Sequence, residues 1–88
     1  MKMIEVAVLS DASNNPVVRM PGRKFPGVVI QGDSLKHLQS TAQELYHLAE
    51  KLEMEVIIDL ASEINDLLSA RVNAYEAVLK ENNIDPPY

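Results

Sequence analysis

Cysteine and tryptophan are absent from the 88 residues, phenylalanine occurs once and glycine three times. Without cysteine there is neither a disulfide framework nor a thiolate metal site, a composition that suits a reducing cytoplasm. No apolar run approaches the roughly 20 residues that a membrane-spanning helix needs. A secretory signal is missing too, because Glu5 interrupts Met1-Lys2-Met3-Ile4 before an apolar core can build. The expected location is therefore cytoplasmic, with no membrane association. Basic charge is also scarce: a formal net charge of -5 opposes general affinity for phosphate backbones, so nucleic acid is not an expected partner.

A chain of this length makes one domain, expected as a β-meander over 1–32, a helical hairpin over 33–82 and a C-terminal tail over 83–88. So small a domain buries only roughly 60 to 65% of the surface that its unfolded chain exposes, and a homodimer would supply a second buried surface. The charge is uneven. Residues 1–43 carry five bases against three acids, a balance of +2, whereas residues 44–88 carry three against ten, a balance of -7. Such a bipolar chain suits self-complementary association, and an acidic helical half also serves solubility.

Met3 to Leu9 is rich in β-branched residues and reads as a strand, closed by the turn-forming cluster Ser10-Asp11-Ala12-Ser13-Asn14-Asn15. Val17 to Met20 and Gly27 to Gln31 read as second and third strands. The connections are too short for the crossover that parallel strands require, so the expected sheet is a three-stranded antiparallel meander. The fold class is α+β.

At Gly32-Asp33-Ser34 the pattern changes, with Asp33 or Ser34 placed to accept a hydrogen bond from a first-turn amide. Leu35, Leu38, Ala42, Leu45, Ala49, Leu52 and Val56 then recur at steps of three and four, a heptad seam on one helix. A second helix runs from about Leu60 to Lys80. Its polar stripe is Asp59, Ser62, Asp66, Ser69, Asn73, Glu76 and Lys80, and its other face carries Leu60, Ile64, Leu67, Leu68, Tyr75 and Val78, wide enough for two partners. Asn82-Asn83 and Pro86-Pro87 end it. The join is open to three readings: one long helix, a short strand over residues 54–58, or a tight hairpin near Glu53 to Ile58 with Asp59 capping the second helix. The hairpin is preferred, because an unbroken helix leaves its wide apolar face uncovered in a monomer.

Four groups of residues bear on chemistry. Gly32-Asp33-Ser34-Leu35 resembles the signature of the GDSL esterases, but the Asp-x-x-His that would supply base and orienter is missing, and a helix cap accounts for the residues. Glu44-x-x-His47 has the spacing of a bundle metal pair, yet both positions fall opposite the heptad seam, on a solvated face. No catalytic residue, metal or cofactor is expected. Arg71 lies near the centre of the second helix's apolar face, and its guanidinium is expected to reach a carboxylate or carbonyl across the hairpin or a dimer interface. The remaining group is the stretch Arg19-Met20-Pro21-Gly22-Arg23-Lys24-Phe25-Pro26-Gly27, where Pro21-Gly22 and Pro26-Gly27 both suit type II turns. Arg19, Arg23, Lys24 and Phe25 on so stiff a loop are candidate binding residues, since little ordering entropy remains to be lost on binding.

The run from Val17 to Leu35, with its Pro-Gly-Arg-x-Phe-Pro-Gly-Val-Val-Ile-Gln-Gly-Asp-Ser-Leu core, together with Tyr75-Glu76-Ala77-Val78-Leu79 and Pro87-Tyr88, resembles an uncharacterised family of small bacterial proteins. That resemblance implies a single-domain bacterial protein with no assigned activity, compatible with an immunity role that neutralises a neighbouring toxin. It supplies no site residues. Two functions remain: a non-catalytic binding or regulatory protein with a protein partner, which the sequence favours, and a small ligand-binding or enzymatic domain with an anion site at Arg71 or Arg23.

Overall fold

Serine hydroxyls, more than the neighbouring Asp and Asn side chains, organise the first turn. Ser13 Oγ accepts from the Asn15 amide at 3.2 Å and donates to the Asn15 carbonyl at 3.1 Å, while Ser10 Oγ accepts from the Ala12 amide at 3.4 Å. This turn joins β1 (Ala7–Ser10) to β2 (Val17–Arg19), and a second connection leads to β3 (Gly27–Val28). The sheet order is β1-β2-β3, antiparallel throughout, as the short connections require. Ala7 pairs with Arg19 and Val8 with Val18; Leu9 then bulges, so that Ser10 meets Val17. The strands are shorter than expected: β1 begins at Ala7 rather than Met3, and β3 stops at Val28. Beyond β3, a bond from the Val29 amide to the Pro16 carbonyl at 2.9 Å continues the alignment by one residue.

The computed structural model describes residues 1–88, which form two compact units, Met1–Gln31 and Gly32–Tyr88. In the first unit no residue is buried, and only Pro16, Val17 and Val18 reach intermediate exposure. The second is a hairpin of α1 (Gly32–Leu52) and α2 (Glu55–Glu81). Helix α1 begins one residue ahead of the expected cap, and Asp33 Oδ1 accepts from the adjacent Ser34 amide at 2.9 Å. The turn is only Glu53-Met54. Residues 55–58, expected as part of the turn, are the first turn of α2, with the Ile58 amide bonded to the Met54 carbonyl. Asp59 is therefore inside the helix and caps nothing; Met54 holds the cap position with no side-chain hydrogen bond.

Glu53 reverses the chain at φ 54°, a left-handed conformation that costs an L-residue roughly 1 kcal/mol or more and glycine little. Glu53→Gly is accordingly expected to raise the melting temperature by about 4 °C, as calorimetry would read it. At the other end of α2, Asn83 takes φ 56°. The Ile84 amide reaches back to the Leu79 carbonyl and the Asn83 amide to that of Lys80, a Schellman closure at the expected Asn82-Asn83 stop.

Residues at i and about 107 − i face each other across the hairpin. Gly32 lies against Tyr75, and Gln39 Nε2 donates to Ser69 Oγ at 3.3 Å. The same register sets Leu35 opposite Val72, Ala42 opposite Asn65, Tyr46 opposite Ala61 and Ala49 opposite Ile58. Large therefore meets small at most levels, so the helices approach closely; Ala42, Ala49, Ala61 and Val72 are the only buried apolar residues. This splits the expected heptad seam. Leu35, Ala42 and Ala49 turn toward α2, whereas Leu38, Leu45, Leu52 and Val56 stay exposed, their inward places taken by Gln39 and Tyr46. On α2, Ser62, Ser69 and Glu76 of the polar stripe are half-buried along the joint, and Leu68 and Tyr75 separate from the exposed Leu60, Ile64, Leu67 and Val78.

Candidate recognition loop

The connection from β2 to β3 is built by its first Pro-Gly pair. Proline fixes φ at Pro21, Gly22 takes φ 76°, and the Arg23 amide donates to the Met20 carbonyl at 3.1 Å, closing a type II turn. The second pair behaves differently. Gly27 keeps a negative φ because it belongs to β3 and pairs with Val18, so no type II turn forms at Pro26-Gly27. Between them Lys24 and Phe25 make a bend.

Phe25 is presented rather than anchored: 75% of its surface is exposed. The Lys24 ammonium stands 5.5 Å from the centroid of its ring, a cation–π contact that at an exposed site contributes about 0.5–1 kcal/mol to holding the bend. Arg23 and Phe25 line an open groove of about 350 Å³ together with Val18, Met20, Gly27, Val28 and Val29. Arg19 is not part of it. Of the four candidate loop residues, Arg23 and Phe25 line the groove, Lys24 stands at the Phe25 ring, and Arg19 alternates with Val18 and Met20 along the chain, onto the other face of β2. Met20 was legible as a groove residue from that same period of two, given that its neighbour Pro21 starts the turn.

Arg71 belongs to the helical unit. It is exposed, and its Nη1 donates to the Leu67 carbonyl at 3.1 Å, one turn back on its own helix. The expected partner across the hairpin is thus replaced by a local one, because the face that carries Arg71 points away from α1. His47 and Glu44 are exposed on the polar side of α1, where His47 Nδ1 lies 3.5 Å from Glu50 Oε1. No cluster of three His, Cys, Asp or Glu side chains is brought together.

The tail also takes a definite position. The Lys36 ammonium lies 5.3 Å from the centre of the Tyr88 ring, and the Tyr88 phenol bonds to Glu76. Partial desolvation, then the charge and hydrogen bond of Glu76, push that phenol above its ordinary value of 10.0. Nothing in residues 83–88 signalled this return, since one aromatic after two prolines has no periodicity to read.

A family model matches residues 1–88, from the first strand to the tail. The chain belongs to DUF6959, a family of unknown function. Membership covers both units of the fold, so the meander, the loop and the hairpin lie within one family match. No curated protein and no solved structure matches the chain. No helix of this DUF6959 member is long and apolar enough to cross a membrane.

Proposed function

We propose that this chain is a non-catalytic binding protein of the bacterial cytoplasm, working as a homodimer and using its basic loop to hold an acidic protein partner. A toxin-neutralising immunity role is the specific form of this reading. The observation that carries it is the Arg23-Lys24-Phe25 triplet: an ordered turn displays an aromatic ring and one cation at a shallow apolar groove, with a second cation against the ring. Arginine and aromatic side chains on a preorganised support are the residues that dominate protein interfaces. The groove is open and lined mostly by aliphatic side chains with no acid–base pair, which suits a protein surface better than a reacting small molecule.

The double variant Arg23→Glu/Lys24→Glu tests the reading. Exposed charges contribute less than about 1 kcal/mol to stability, so its melting temperature should stay within a few degrees of the parent. Capture of the partner from the source cell should fail. Kinetics on the captured partner should show an association rate at least about tenfold slower, with the parent rate declining as salt rises, because rim charges steer encounter. Unchanged binding by a stable double variant would remove the loop from the interface.

A further inference from the structure

The helical hairpin is amphipathic as a layer, not only helix by helix. On α2, Ile57, Leu60, Ile64, Leu67, Arg71, Ala74 and Val78 follow steps of three and four without a break, and all are exposed. On α1, Leu38, Leu45, Leu48 and Leu52 do the same around Thr41. At about 100° per residue, each stripe lies roughly a quarter to a third of a turn from its helix's seam, in the same rotational sense. Antiparallel helices related by a two-fold axis normal to their plane bring the same sense onto the same face. The two stripes therefore form one apolar surface, while Ser40, Gln43, His47, Asp59, Asp66 and Asn73 occupy the opposite one.

We infer that this apolar face is the self-association surface, occupied by the same face of a second copy to make an antiparallel four-helix bundle. The inference rests on the homodimer reading above and specifies its surface and orientation. Two features support a second copy: the spacing of the two stripes and the charges that accompany them. The steps of three and four on both helices, interrupted only by Thr41 and Arg71, are the spacing that bundle interfaces use, and an isologous pairing matches each stripe with its own kind.

Charge then selects the orientation. Arg71 stands in the α2 stripe and Glu63 beside it, whereas Asp59 and Asp66 lie on the opposite face. A parallel pairing of α2 with its copy would set Arg71 beside Arg71 and Glu63 beside Glu63. The antiparallel pairing brings Arg71 across from Ile64, next to Glu63 of the second copy, a charged partner that it lacks within its own chain.

Sedimentation equilibrium at micromolar concentration should give twice 9.8 kDa for the parent chain. Leu60→Glu/Leu67→Glu, which touches no seam residue, should weaken self-association more than about 100-fold, with far-UV dichroism reporting whether the helices persist. A second measurement is independent of that variant's folding. Because the chain lacks cysteine, Ile64→Cys and Arg71→Cys chains mixed together should join through a short bis-maleimide, and Arg71→Cys alone should not. A monomeric parent would overturn both this inference and the homodimer reading. A parent dimer that the double glutamate leaves intact would overturn the face but keep the dimer. Efficient linking of Arg71→Cys to itself would overturn the antiparallel arrangement.

Discussion

Replacing Ala61 with leucine is expected to lower the melting temperature by roughly 10–20 °C, the largest loss anticipated for a single aliphatic change in this chain. Ala61 is 2% exposed and sits opposite Tyr46 in the hairpin register, so the added carbons have no space unless the helices separate. Overpacking of this kind costs about 1–3 kcal/mol, and a two-helix joint has few other contacts to absorb it. The same substitution at Ala70, an exposed position on the same helix, should change stability by less than about 0.5 kcal/mol. Calorimetry of both variants at one fixed protein concentration separates packing from propensity and from any shift in association. Equal melting temperatures would show that Ala61 has room beside it and that the helices do not depend on a small residue there.

Gly32→Ala carries the second large expected effect, and its sign is the informative part. Glycine within a helix normally costs about 0.5–1 kcal/mol relative to alanine, so propensity alone favours the change. The structure opposes it, because a Cβ at this position would overlap the phenol end of Tyr75. Displacing a half-buried tyrosine from the seam outweighs the propensity gain, for a net loss of roughly 1–2 kcal/mol, or about 5–15 °C. Tyr75→Leu removes the obstacle, and in that background Gly32→Ala should become stabilising. A double-mutant cycle measures the inversion directly. If alanine at position 32 stabilises the parent chain as well, the tyrosine moves aside freely and the closing contact of the hairpin is not at Gly32.

Local signals carried the secondary structure well. The short turn-rich links compelled an antiparallel meander, and the change from β-branched runs to steps of three and four marked the helical half within a residue of Gly32. The Pro21-Gly22 turn was readable because proline and glycine each have one backbone reason to sit there. Pro26-Gly27 carries the same two letters with a different result: pairing with Val18 claimed Gly27 for β3, and strand pairing is a contact with residues well earlier in the chain. Residues 53–58 were ambiguous for the opposite reason, since nothing in Glu53-Met54 announces a turn. Glu53 adopts a left-handed conformation because α2 packs back on α1, and tertiary contact offsets the local cost.

Arg71 and the heptad of α1 show where sequence reasoning reached its limit. A period of three and four establishes that a stripe is apolar; it does not say what the stripe meets. Leu35 and Leu38 belong to one repeat, yet one faces α2 and the other stands exposed, because close approach at Ala42, Ala49 and Ala61 rotates the joint toward the small residues. Arg71 was placed correctly on an apolar face, but that face points away from the partner helix. The sequence by itself determined the antiparallel meander, two amphipathic helices, an acidic half and a basic aromatic loop, since each follows from short-range sterics, periodicity and charge. Only the tertiary structure decided which apolar stripe closes the hairpin and which remains open, because that choice depends on the register between two helices and on how closely their smallest side chains let them approach.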